Sequence, residues 1–400
     1  MRATPVFMYH SVGIPNSKWM WKELTISYLE FEKQLAYLKA HNYTTFHLKY
    51  LYVQIDQHIE LPKKSIVLTF DDGYLDNYVF ALPLLKKYGF KGTIFVNPEF
   101  VDKRNLIRKQ YDGQGDVAGL ETIGFMSWDE LREIEQDGTM EIQSHALTHT
   151  WYPSSDRVID FRHPQDKYIW MTWNSNRSQK PYLQLDNAAL VKLGEPVYES
   201  EMSLSGKRFY PDKELSEHII QYVSDHGGVL FFQQAQWRKI LFQALKDYEA
   251  SHFLNTSYES ETERLERLKC ELSSSKQQLE QELNKSIDFL CWPGGSATTE
   301  GQAIALSLGY KMTTATRDIP QSIRKTIKNN NVRRYPDRIA RTSPILLTKR
   351  VDGEVRVVYC NGLGMYLRCK AFSTKGLLQL FYKLIIRLYG IALYLLKNRR

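Results

Sequence analysis

The chain has 400 residues, 43% of them hydrophobic and 24% charged, an ordinary globular composition that excludes a disordered or fibrous chain and suffices for one large core or two smaller ones. The net charge of +8 is unevenly placed: no acidic residue follows Glu354, while Arg356, Arg368, Lys370, Lys375, Lys383, Arg387, Lys397, Arg399 and Arg400 do, so the remainder is nearly neutral. A nucleic-acid reader would carry basic charge across a folded face with stacking aromatics, and no such module is visible, so nucleic acid is not an expected partner. The four cysteines, at 270, 291, 360 and 369, form no Cys-x-x-Cys pair, which suits a reducing compartment. The opening "MRATPVFMYHSV" lacks the apolar stretch of a secretory signal, so the expected location is cytoplasmic.

Strand-like and helix-like segments alternate through the first half. "TPVFMYH" is a short apolar run; "SYLEFEKQLAYLKAHN" repeats Leu29, Phe31, Leu35 and Leu38 at helical spacing; "SIVLTF" is β-rich; "FALPLLKKYG" is a helix ending at Gly89; and "KGTIFVN" is again a strand. "SWDELREIEQDG" reads as a helix capped by Ser127, with Asp129 and Glu130 in its first turn, and "MEIQSH" follows as a strand. Units of this kind predict a largely parallel sheet or barrel covered by helices. From about Trp151 to Leu254 the pattern breaks into aromatic and turn-rich stretches, with a helix in "AQWRKILFQALKDYEASHFL". That length is too great for a loop and reads as an insertion folded on the main domain. Residues 259–285 form one polar helix with a leucine stripe, for which a coiled coil is the alternative. The α/β pattern then returns in "IDFLCWPGG", "EGQAIALSLGY" and "KMTTAT". In the last segment, "GLLQLFYKLIIRLYGIALYLLKNRR", Lys383 and Arg387 interrupt the apolar run and argue against a simple membrane span. Gln379, Lys383 and Arg387, four apart, make one polar face of a helix suited to an anionic membrane surface. The alternative is a helix docked on its own domain or on a second subunit.

Chemistry concentrates at two strand ends. In "LTFDDGY", Asp71 and Asp72 point to different faces, so one can ligate a metal while the other meets substrate, and a divalent cation would offset their repulsion. In "SHALTHT", His145 and His149 lie four apart, a spacing that puts two imidazoles on one side of a helical turn. Two histidines and a carboxylate leave coordination positions open, as in a catalytic site. Each piece alone has a bland reading, a turn or an exposed helix face; together they meet where parallel barrels build active sites.

"LTFDDGY", "SHALTH" and "FLCWPGG", in that order, resemble the successive motifs of the polysaccharide deacetylase family, and "MYHSVG" and "WDELREIEQDGTMEIQSH" resemble its poly-N-acetylglucosamine deacetylase branch. The resemblance covers roughly residues 4–150 and 262–335; its first two motifs are specific and its third degenerate. It implies a distorted (β/α) barrel of the NodB type, in which Asp72, His145 and His149 bind a divalent metal, usually zinc, and Asp71 is the general base. The backbone N–H of Tyr74 would help hold the oxyanion, and His10, in place of a late histidine absent here, would be the general acid. The arginine that usually orients the base is missing from the third motif, where Cys291 or Trp292 stands, and Arg334 is the candidate substitute. Trp292, Pro293 and Gly294 would form one wall of the groove. Ala146 stands where Ser or Thr commonly follows the first metal histidine, which removes a supporting hydrogen bond.

The expected organisation is therefore a barrel in two parts, 1–150 and 259–345, interrupted by an insertion at 151–258 and followed by an extension, 346–372, and a basic amphipathic helix, 373–400. The expected activity is metal-dependent removal of an N-acetyl or N-formyl group from an amino sugar of a glycan. With no signal and a basic amphipathic segment at 376–400, the expected substrate extends to a lipid-linked saccharide met at the inner face of the cell membrane. The competing reading is a glycan-binding pseudoenzyme of the same fold.

Overall fold

A computed structural model describes residues 4–16, 19, 21–183, 188–315, 337–351 and 354–397. Its centre is a curled, parallel eight-stranded sheet. From Val6–Tyr9 the order runs through Ser65–Phe70, Gly92–Val96, Met140–Ser144, Phe289–Leu290 and Met312–Thr314 to Arg338–Ile339, with Thr44–Phe46 also paired to Ser65–Phe70. Just past the last strand the chain returns to the first: Met8 N–H donates to Thr342 O (2.9 Å) and Thr342 N–H to Val6 O (2.8 Å). The sheet thus curls into the expected (β/α) barrel, with its seam closed between Thr342 and Phe7.

The apolar runs make this possible because every residue of Ser65–Phe70, Gly92–Val96 and Met140–Ser144 is buried. Both faces of a parallel sheet are covered, so its strands read as continuous hydrophobic runs. Alternation then sorts the side chains. Phe7, Leu68, Ile94 and Ile142 pack outward against Phe31, Leu35 and Leu38 of the helix Tyr28–Ala40, against Leu131 and Ile134, and against Leu268, Leu272 and Leu279. Val6, Val67, Phe95, Phe289, Met312 and Ile339 fill the other side together with Leu48, Leu51 and Ile55 of the helix Leu48–Asp56. The leucine stripe of the helix Glu261–Leu283 is therefore core of the barrel, which decides against a coiled coil. Ser127 caps its helix as expected, in a full capping box with Glu130.

Residues 151–258 open with an 11-residue strand, Trp151–Phe161, paired antiparallel to Pro196–Met202. Two helices, Lys213–Asp225 and Trp237–Ser251, complete a separate cluster around Phe161, Ile219 and Leu241. After the barrel come a hairpin, Ile345–Val351 with Glu354–Tyr359, and the helices Gly362–Ser373 and Gly376–Lys397.

Candidate active site

The carboxylates and histidines converge at the C-terminal ends of two parallel strands. Ser65–Phe70 delivers Asp71 and Asp72; Met140–Ser144 delivers His145, and a short loop brings back His149. Asp72, Ala146 and His149 have φ of +72°, +58° and +42°, left-handed conformations uncommon outside glycine and recurrent where a site dictates the backbone. Asn97 holds the first turn of the histidine loop by donating its side-chain amide to the His145 carbonyl and, at 3.3 Å, to that of Ala146.

Asp72 Oδ1 lies 3.0 Å from His145 Nε2 and 3.4 Å from His149 Nε2. His145 Nδ1 faces the Cys291 carbonyl at 2.8 Å, and since a carbonyl only accepts, Nδ1 carries the hydrogen. Nε2 is left as a lone pair opposed to the carboxylate, an arrangement that a cation or an added proton reconciles. Asp72 Oδ1 is buried and accepts no hydrogen bond among the described residues. Burial pushes His149 down to about 4, so it is neutral at pH 7 and able to ligate. Burial would raise the Asp72 carboxyl, but the imidazoles of His145 and His149 hold it well below the usual range. Three ligand atoms of two chemical types within reach of one point, one of them an orphaned buried carboxylate oxygen, fit a divalent cation of the zinc class.

Asp71 faces the other way. Arg341 grips it with Nη1 to Oδ1 at 2.6 Å and Nη2 to Oδ2 at 2.9 Å. The same Nη2 lies 2.9 Å from Cys291 Sγ, and that sulfur is 3.6 Å from Asp71 Oδ2. Burial would raise Asp71, yet the Arg341 guanidinium, helped by His145, keeps the carboxyl below its ordinary value. Arg341 reaches this seat because it stands at the barrel seam, one residue before the bridge to the first strand. Arg334, the residue expected here, lies outside the described residues. The sequence signal for Arg341 was its place after the last strand, since closing a barrel returns that strand to the first.

The remaining expected residues fall as follows. His10 directly follows the first strand and is half-buried, its carbonyl accepting from Asn77 Nδ2 at 2.7 Å. Beneath it Gly13 packs against Asp76: a Cβ there would meet Asp76 Oδ2 at 2.6 Å. Leu75 N–H to Gly124 O and Met126 N–H to Gly73 O flank Tyr74 in its bridge with Phe125, so the Tyr74 N–H points out of that pairing. Of the expected groove wall, Trp292 and Pro293 are buried, Trp292 within the outer core, and Gly294 is exposed. The aromatic surface beside the histidines is Trp151, 5.9 Å from the His149 ring and 5.5 Å from Trp170, backed by buried Trp173.

One supporting cluster had no sequence signal. The buried ammonium of Lys180 donates to the carbonyl of Thr148, the residue before His149, and lies 3.1 Å from Glu99 Oε2. Buried Glu271 accepts from Thr148 N–H at 3.3 Å and Oγ1 at 2.6 Å. Burial lowers Lys180 to about 8 and raises Glu271. The His149 loop is thus clamped from both sides, by a barrel helix and by the 151–258 segment.

Part of the chain is similar to known proteins. Residues 58–195 match the family model described as polysaccharide deacetylase. YxkH of Bacillus subtilis (strain 168), assigned to the polysaccharide deacetylases, is 30% identical over 145 residues, 36% of this chain and 43% of YxkH. The poly-β-1,6-N-acetyl-D-glucosamine N-deacetylase of Staphylococcus aureus (strain MRSA252) is 26% identical over 208 residues, 48% of this chain and 65% of that protein. The chain thus spans less than two thirds of the length of both of these relatives. A solved de-N-acetylase from Aggregatibacter actinomycetemcomitans superposes with a TM-score of 0.51 at 18% identity, over 84% of this chain and 93% of that one, a similarity of fold.

Proposed function

From the premise that this chain carries a domain of the polysaccharide deacetylase family, we propose that it hydrolyses the N-acetyl amide of an amino sugar in a glycan, with poly-N-acetylglucosamine the first substrate to test. The observation that carries the proposal is the convergence of Asp72 Oδ1 with both histidine Nε2 atoms beside an Asp71 locked by Arg341. A divalent cation, zinc first, held by Asp72, His145 and His149, would polarise the amide carbonyl and acidify water. Asp71, kept ionised by Arg341, takes the proton of the attacking water. The Tyr74 N–H donates to the oxyanion as the carbonyl carbon becomes tetrahedral. His10 delivers a proton to the departing amine, giving acetate and a free amino sugar. Trp151 and Trp170 offer faces on which a sugar ring can stack. The finer reading is a lipid-linked saccharide as substrate, met at the cytoplasmic side of a membrane, and removal of N-formyl as a lesser variant.

Acetate release from poly-β-1,6-N-acetylglucosamine oligomers and from lipid-linked acetylated saccharides, by protein of measured metal content, tests the reading. Amine appearing with the wild type but not with Asp71→Asn or His145→Ala supports it. A protein that binds cation and glycan yet releases no acyl group from any of them is the glycan-binding pseudoenzyme, and the deacetylase reading goes.

A further inference from the structure

The helix Gly376–Lys397 is long and apolar enough to cross a membrane by length and composition, yet it is docked along its length by one face. Ile386 and Gly390 are buried, and a Cβ at 390 would meet the Leu346 backbone at 3.2 Å, so glycine lets the helix lie directly on the hairpin. Gln379 Nε2 donates to Ala371 O (2.9 Å) and Asn361 Nδ2 to the Tyr389 hydroxyl (2.7 Å). These two bonds tie both halves of the helix antiparallel to Gly362–Ser373, which itself packs on the barrel.

The opposite face is bare. Leu377, Phe381, Leu384, Leu388, Ile391 and Leu395 recur at spacings of three and four, the period of a single helical stripe, and all are exposed, Leu377 at 86%. Such a row, spanning about 27 Å at the helical rise, is the kind of contiguous apolar surface that marks a contact. Lys383 and Arg387, both exposed, lie on one flank between this stripe and the docked face, and residues 355–400 contain no carboxylate.

We propose that this face is a membrane-docking surface, on which the helix lies in the plane of an anionic bilayer with the leucine stripe among the acyl chains and Lys383 and Arg387 at the phosphates. Charge decides the occupant. A second copy would add only more charge of the same sign from its own residues 355–400, whereas lipid phosphates carry the opposite charge. A span is disfavoured because the docked face would have to be torn from the hairpin and two mid-helix cations buried in hydrocarbon. The proposal stands independently of whether the site hydrolyses amides.

Flotation of the full chain with vesicles of phosphatidylcholine, with and without phosphatidylglycerol, tests it. Binding is expected only to the anionic vesicles, to fall with salt, to drop about tenfold or more in Leu384→Gln/Leu388→Gln, and to lose most of its salt dependence in Lys383→Gln/Arg387→Gln. The thermal midpoint of each variant, unchanged, shows that it remains folded. No flotation with anionic vesicles overturns the proposal. So does a concentration-dependent dimer that the leucine variant dissociates in the absence of lipid binding, and so does membrane-bound protein that resists alkaline carbonate.

Discussion

Asp71 meets two guanidinium nitrogens and a thiol, and Thr148, beside His149, is held at its N–H, its hydroxyl and its carbonyl by groups from two different parts of the chain. The helix Gly376–Lys397 is held on one face only and leaves six large apolar side chains in a row on the other. The two regions use burial in opposite ways. At the barrel mouth, polar groups are taken out of water and given fixed partners, which costs stability unless each is satisfied and in return holds a geometry. On the helix, apolar groups are left in water, which is unfavourable by itself and favourable once a partner covers them. A fixed geometry suits chemistry on a small bond; an open stripe suits a large surface.

The contrast can be broken most severely at its over-determined end. Removing the His145 imidazole (His145→Ala) takes away a ligand atom and should weaken cation affinity by more than the ~10–100-fold expected for supporting groups, with acyl release abolished; titration with a chromophoric chelator reads the first and amine assay the second. Arg341→Met leaves a buried carboxylate without its partner, a loss of roughly 3–5 kcal/mol in stability that urea denaturation would show. The pH sign follows from the partner lost. Arg341 holds Asp71 below its ordinary value against burial, so without it the acid limb of kcat/KM moves to higher pH, and activity disappears sooner as pH falls. An unmoved limb would remove Asp71 as the base.

Lys180→Met tests the clamp on the histidine loop from the side of the 151–258 segment. Cation affinity should fall by about tenfold while binding of glycan without cation is unchanged; equal affinity would reduce Lys180 to packing. The smallest expected effect sharpens the other member of the comparison. Leu384→Gln, on the bare stripe, should change unfolding free energy by within about 0.5 kcal/mol, whereas Ile386→Ala, two residues away on the docked face, should cost ~2 kcal/mol or more. Equal costs would mean the stripe is covered by the chain itself.

Much of the barrel was legible because its strands are short apolar runs and a helix carries an explicit cap, as at Ser127. The Asp-Asp and His-x-x-x-His pairs were legible because each is local in sequence. Lys180 was not, since nothing near it in the chain says what it will touch, and the signal for Arg341, its place after the last strand, names no partner. Arg341 sits 270 residues from Asp71 and meets it only because the barrel closes. Trp292 shows the converse: its sequence neighbours suggested a groove wall, and its side chain is buried within the outer core. For the helix Gly376–Lys397 the reading as a helix docked on its own domain describes one face, and the other face is exposed.

By itself the sequence determined the alternating strands and helices of the barrel, that the Asp-Asp pair and the first histidine each follow a strand, and that basic charge accumulates after Glu354. Those follow from periodicity, capping and composition, all properties of a few consecutive residues. Tertiary structure alone decided which arginine locks Asp71, which lysine clamps the His149 loop and which face of the basic helix is left exposed. Each of these depends on long-range closure, where side chains distant in the chain are placed at hydrogen-bonding distance by the curvature of the sheet.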